Sequence, residues 1–174
     1  MKKFYYSSLV KARLLFCDLF YYRHTCVGFV SYTNDPLNFL SKGLKYNFMR
    51  LCFIILQTII NKPSLVKTVL SVYQDMFKRK TISSHQNEIV WGEILSFGLT
   101  KEGVNIIDKK TRKKAPQLLF ERAIEYFRKE CIKKFRLAVL KDNKEALLFY
   151  LSYGGKIIDN QYGEGKCYRL EFSV

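Results

Sequence analysis

Between residues 88 and 172 the apolar residues switch repeatedly between the period of a strand and the period of a helix. This alternation restricts the fold more than any other feature of the chain. Residues 88–100 (EIVWGEILSFGLT) are apolar on both faces, as a strand inside a sheet must be. Residues 116–130 place Leu119, Ala123, Tyr126 and Phe127 on one helical face, with Pro116 suited to the first turn. Residues 135–140 (FRLAVL) return to strand spacing. Asp142, followed three residues on by Glu145, has the spacing of a capping box. The helix it opens carries Ala146, Phe149, Tyr150 and Tyr153, and Gly154 and Gly155 end it. Residues 156–158 and 167–172 read as a hairpin closed around Gly163 and Gly165.

The first half is organised differently. Residues 14–22 (LLFCDLFYY) and 26–32 (CVGFVSY) predict two strands joined at Arg23, His24 and Thr25, and Asn34, Asp35 and Pro36 stop the second. From residue 37 to residue 80 helical spacing takes over, first through Phe48, Leu51, Cys52, Ile55 and Ile59, then beyond Pro63 through Leu65, Val69 and Tyr73. Two helices are expected there, and a polar loop over residues 81–87. Strands and helices in this order make one mixed α/β (α+β) domain over residues 1–174. Residues 1–36 are its N-terminal strands, 37–87 a helical insert after the second strand, and 88–174 the half that carries the site.

A formal charge of +15 attracts phosphate in nucleic acid, lipid or a phosphorylated cofactor, without choosing among them. The basic residues cluster at 109–114 and 128–134 without an RNP-like or helix-turn-helix signature, so nucleic acid is not expected. Cys17, Cys26, Cys52, Cys131 and Cys167 are scattered and never paired as C-x-x-C, which suits free thiols in a reducing cytoplasm. The N-terminus lacks the pattern of a cleaved signal peptide. Residues 48–60 (FMRLCFIILQTII), interrupted by Arg50 and Gln57, fall short of the ~20 residues a spanning helix needs. They suit a core helix or a helix lying on the inner membrane surface. His24 and His85 lie far apart in a turn and a loop, and no metal is expected. No G-x-S-x-G elbow or Ser-His-Asp order is visible.

The series EILSFGL, basic loop, APQLLFERAIEYF, FRLAVLKDN and KEALLFYLSYGGKII resembles the GNAT superfamily of N-acetyltransferases. Its sharpest part is Asn143-x-x-Ala146-x-x-Phe149-Tyr150-x-x-x-Gly154, where the family reads N-x-x-A-x-x-F-Y-x-x-x-G-F and Gly155 replaces the final Phe. The segment VGFVSYTN followed by a helical insert is similar to members found with surface-polysaccharide genes.

The resemblance implies a single mixed sheet flanked by helices, with a splayed central strand pair that admits the pantetheine arm of acetyl-CoA. Backbone groups of Phe97, Gly98 and Leu99 would bond its amides, and a backbone N–H there would face the oxyanion. The pyrophosphate would sit at the helix start near Pro116. The family's loop Q/R-x-x-G-x-G/A aligns with Lys110-Thr111-Arg112-Lys113-Lys114-Ala115. Lys110 stands where Arg or Gln is usual, Lys113 replaces the first glycine and Ala115 fits. Lys109, Lys110, Arg112, Lys113 and Lys114 would then attract the phosphates as charges; read without the resemblance, they are a solvated basic loop. Tyr150 would protonate the departing thiolate, or else simply packs in the core. Glu93 would help deprotonate the amine, or else is a solvent-facing strand residue. Ser96, three residues on and expected on the opposite face, is a weaker candidate for a polar contact. Asn143 belongs to the helix start and would touch the cofactor arm. The acceptor implied is a small-molecule primary amine, with a nucleotide- or lipid-linked amino sugar favoured. A GNAT-like domain without catalysis, or a basic protein binding nucleic acid or a membrane surface, remains the alternative.

Overall fold

The computed structural model describes residues 9–46 and 91–174. The chain divides into two compact units, Met1–Pro36 with Val90–Val174, and Leu37–Ile89. In the second unit the described element is helix α1 (Phe39–Tyr46). The remaining helical positions expected up to residue 80, including Phe48, Ile55 and Ile59, and the loop at 81–87 lie outside the described residues. Among the described residues no helix is long and apolar enough to cross a membrane.

The first unit holds strands β1 (Phe16–Tyr22), β2 (Thr25–Thr33) and β3 (Trp91–Leu99), helix α2 (Ala115–Lys129), strand β4 (Lys134–Leu140), helix α3 (Lys144–Ser152), and strands β5 (Lys156–Tyr162) and β6 (Cys167–Ser173). They form one six-stranded sheet in the order β1-β2-β3-β4-β6-β5. The hairpin between β1 and β2 turns on Arg23 and His24, both at positive φ (47° and 64°). Two successive left-handed residues make the turn whose twist matches that of paired strands. The β3–β4 pair is parallel, because α2 carries the chain back to the same end of the sheet. The other strand pairs are antiparallel.

Helices α2 and α3 cover one face. Leu119, Phe120, Ala123 and Phe127 are fully buried at helical spacing and press α2 onto the sheet. Tyr126, at the edge of this face, packs tilted against Phe16 and Tyr32 with ring centroids 4.5 and 4.7 Å away. Phe120 joins the two helices. Its ring lies 4.9 Å from Tyr153 and 5.5 Å from Tyr150 on α3, and 6.0 Å from Phe135 on β4. The close approach of α2 to β3 depends on Gly92, where a Cβ would overlap the Phe127 ring.

Two elements differ from those expected from the sequence. The N-cap of α3 is Asn143, not Asp142: its Oδ1 accepts the Ala146 N–H at 3.1 Å. The helix therefore starts one residue later than the Asp142/Glu145 spacing indicates. Strand β5 runs to Tyr162 rather than ending at Ile158, since pairing with β6 extends a segment too polar to read as strand. At the end of α3, Gly154 takes φ +83° and the Gly155 N–H bonds the Tyr150 carbonyl at 3.1 Å. A Cβ on Gly155 would lie 2.7 Å from the Phe172 ring, so Phe172 fills the space that a side chain at 155 needs.

Candidate active site

The sheet is continuous on both sides of β3 and β4 but not between them. Pairing of β2 with β3 continues to Gly28–Leu99, and pairing of β4 with β6 continues to Leu140–Cys167. Pairing of β3 with β4 stops at Ile94–Leu137. Beyond that point the strands part. In an antiparallel ladder alternate residues turn their N–H and C=O away from the partner, so part of the backbone of Phe97, Gly98 and Leu99 faces the gap. A cleft of about 540 Å³ opens there. Ser96 to Leu99 on one side and Ala138 to Leu140 on the other form its walls, and Asn143, Ala146, Phe149 and Tyr150 of α3 close it.

The parting begins at a bulge. Ser31 faces Ser96 but Tyr32 faces Ile94, so Leu95 is an extra residue in β3. Ser31 and Thr33, two apart on β2, share a face, and so do their partners Ser96 and Glu93. Strict alternation predicts opposite faces for Glu93 and Ser96; the bulge puts them on the same one, turned away from α2 and α3.

Tyr150 is 6 % exposed. Burial alone pushes its phenol up to about 12, so it is neutral and a proton donor across the physiological range. Its ring meets Phe97 at 6.3 Å and Phe120 at 5.5 Å, and the residue lines the cleft. Glu93 sits one residue before the last β3–β4 pair. Burial raises its carboxyl above the usual glutamate range, and Arg169 and Arg136 partly oppose this. Asn143 lines the cleft, with its oxygen committed to capping α3.

The basic loop is more ordered than its composition indicates. Asp108 Oδ2 accepts the Thr111 N–H and hydroxyl, both at 2.8 Å, and the Asp108 carbonyl accepts the Arg112 N–H at 2.8 Å. The Lys113 N–H reaches Thr111 Oγ1 at 3.4 Å. At the helix start, Gln117 Oε1 accepts the Lys114 N–H at 2.9 Å and Ile106 O accepts the Ala115 N–H at 2.9 Å. Pro116 has no N–H, and Leu118 bonds back to Lys114 at 3.1 Å. In the first turn this leaves the Gln117 amide facing outward. Lys113 Nζ sits 2.7 Å from Glu121. Lys110, Arg112 and Lys114 are exposed and Ala115 is buried. The cleft as folded is lined by Phe97, Gly98, Leu99, Asn143 and Tyr150, whereas Glu93 and residues 110–115 lie outside its lining.

Reading the sequence missed the neighbours of Glu93. Arg169 Nη2 lies 3.7 Å from Glu93 Oε1, and the Arg136 guanidinium stacks 4.6 Å from the Trp91 ring centre. The signal available was the charged pair Arg169 and Glu171, two apart in the otherwise apolar β6, which marks one face of that strand as polar.

A mixed sheet split between two parallel central strands, with helices packed beside the split, is the fold of the GNAT N-acetyltransferases. Solved structures sharing it include PaiA N-acetyltransferase from Thermoplasma acidophilum, in complex with coenzyme A (TM-score 0.53, 15% identity, covering 97% of this chain and 66% of that one). Arabidopsis thaliana Naa50, in complex with a CoA bisubstrate analogue, matches with TM-score 0.52 and 16% identity over 98% of this chain and 80% of that one. FeeM, an N-acyl amino acid synthase from uncultured soil microbes, matches with TM-score 0.50 and 12% identity over 97% of this chain and 77% of that one. The chain thus spans just under two thirds of PaiA's length. No protein-family model matches the sequence, and no curated protein sequence does.

Proposed function

We propose that the chain is an acetyl-CoA-dependent N-acetyltransferase acting on a primary amine. The split between β3 and β4 beneath Tyr150 carries this reading. Two of the solved structures with this fold were determined with coenzyme A or a CoA analogue. The gap backbone of Phe97, Gly98 and Leu99 bonds the pantetheine amides, and a backbone N–H at the split stabilises the oxyanion. Glu93 takes a proton from the amine, directly or through water, as nitrogen bonds the acetyl carbon. The carbon–sulfur bond then breaks toward Tyr150.

A phenol near 12 is a weaker acid than a thiol of ordinary pKa ~8.5, by roughly 5 kcal/mol. Tyr150 therefore stabilises the departing thiolate by a hydrogen bond more than by complete proton transfer. The acceptor we favour is an amino sugar of a surface-polysaccharide precursor, handled in the cytoplasm at the inner membrane surface.

The phosphate end works by side-chain charge, because the loop amides are largely engaged. Changing Lys113 and Lys114 together to Ala lowers acetyl-CoA affinity roughly tenfold in calorimetry, and added salt weakens the wild type as well. Because Lys113 already holds Glu121, Lys114→Ala alone accounts for most of the loss. Unchanged affinity in both tests returns the loop to a solvated surface.

The same engaged amides, with no glycine in residues 108–115, favour a second reading: a GNAT fold without catalysis. Acetyl-CoA titration separates the two. Micromolar binding supports the enzyme, and no binding supports the inactive fold.

A further inference from the structure

On the sheet face turned away from α2 and α3, Trp91 and Glu93 of β3 adjoin Arg136 of β4 and Arg169 of β6. Both guanidiniums share the Trp91 indole, at 4.6 and 5.5 Å from its centre, and the Tyr162 ring lies 4.8 Å from Arg169. Stacking fixes the planes of these groups and leaves their edges for hydrogen bonds. The two arginines differ in what meets the edge. Arg136 donates through Nε and Nη2 to Glu171 Oε2 at 3.0 and 2.9 Å, and Lys134 shares that carboxylate at 2.8 Å. The same edge of Arg169 is not satisfied in this way. Among the described residues its buried Nε has no acceptor, and its Nη2 reaches Glu93 only at 3.7 Å, too long for a hydrogen bond. A buried guanidinium N–H without a partner is rare and calls for an explanation.

The Glu93 and Arg169 side chains each stay about a fifth open, at 18% and 23%. They lie beside Ile94 and Leu137, where the split begins and an amine must meet the acyl carbon. An acceptor bearing both an ammonium and an oxyanion can enter this loose pair, the ammonium taking Glu93 and the oxyanion taking Arg169. Each buried charge then gains a hydrogen-bonded partner. A neutral-bodied amine satisfies Glu93 alone and leaves Arg169 as it is.

We propose that the partly open guanidinium of Arg169 binds an oxyanion of the acceptor, so that the substrate is an amine that also carries a carboxylate or a phosphate. This rests on the acetyl-transfer reading above. Arg136, already filled by Glu171, holds the Trp91 platform.

Trp91 is the single tryptophan of the chain, so its fluorescence reports this cluster directly. Two matched pairs of amines are titrated, glycine against methylamine and glucosamine 6-phosphate against glucosamine, with and without saturating coenzyme A. The acid-bearing member of at least one pair binds at least tenfold more tightly than its partner, and the responding pair identifies carboxylate or phosphate. Arg169→Gln removes that preference while coenzyme A affinity is unchanged. Arg169→Lys, which keeps the charge without the fork, retains part of it. Equal binding within both pairs, no binding by either acid-bearing member, or an unaltered preference in Arg169→Gln overturns the proposal. Should Arg169→Gln fail to fold, the wild-type pairs and Arg169→Lys decide. Loss of coenzyme A binding in the wild type counts instead against acetyl transfer, and the titrations without coenzyme A still test Arg169.

Discussion

Tyr150→Phe lowers kcat by about 10²-fold while leaving acetyl-CoA affinity and Tm nearly unchanged. The ring stays, with its contacts to Phe97, Phe120 and Phe149, so the wall of the cleft keeps its shape. What disappears is the hydroxyl and, in the proposed mechanism, its hydrogen bond to the sulfur as the carbon–sulfur bond breaks. The phenol must be protonated to act, so its contribution is lost only as pH rises through its pKa. With that pKa near 12, kcat shows no basic limb from Tyr150 below roughly pH 10. In the same proposed mechanism Glu93 works in the opposite sense: as the base it must be ionised, so the rate is expected to fall as pH drops through a pKa above the ordinary glutamate range. A Tyr150→Phe enzyme that turns over at the wild-type rate, with chemistry limiting, assigns Tyr150 to packing and the acid role to another group or to water.

Phe120→Ala destabilises the fold by about 3–5 kcal/mol, the range for removing a fully buried phenyl ring. For a chain of this length that lowers Tm by roughly 10–15 °C in a thermal melt followed by circular dichroism. The loss is large because rings from two other elements pack on this one. Tyr153 and Tyr150 on α3 and Phe172 on β6 all lean on this ring, at 4.9, 5.5 and 5.5 Å. The void opens directly behind Tyr150, so kcat falls along with Tm. Leu148→Ala on the same helix α3 is the control: Leu148 is 67% exposed, and its removal changes stability by less than about 0.5 kcal/mol. A Phe120→Ala protein that melts within a few degrees of the wild type shows that the two helices do not depend on this ring.

The order of elements after residue 91 was legible because each announces itself locally. The apolar run of β3, the one-sided face of α2 and the glycines after α3 are short-range patterns, and the strands and helices fall where those patterns place them. The mixed sheet with a split central pair, implied by the N-x-x-A-x-x-F-Y frame, is the observed architecture. Local patterns were weaker where two interactions compete for one position. Asp142 and Asn143 are both good N-caps, and the choice fell to Asn143, whose side chain reaches the Ala146 amide. The polar end of β5 is strand only because β6 is there to pair with it.

By itself, then, the sequence determined the order of strands and helices between residues 91 and 174, that helices must cover a mixed sheet, and that Asn143 and Tyr150 belong to the start and body of one helix. These depend on residues a few positions apart, whose spacing sets which side chains share a face. Only the tertiary structure decided the side of the sheet on which Ser96 stands, because Leu95 is a bulge only relative to Ser31 and Tyr32 of another strand. It also decided that Lys113 turns to Glu121, that Phe172 takes the space at Gly155, and that Arg169 stands 3.7 Å from Glu93 with no hydrogen-bond acceptor for its Nε among the described residues. Contacts across strands and between helices join residues far apart in the chain. Which of them meet depends on register and close packing, and neither is written in the spacing of any one segment.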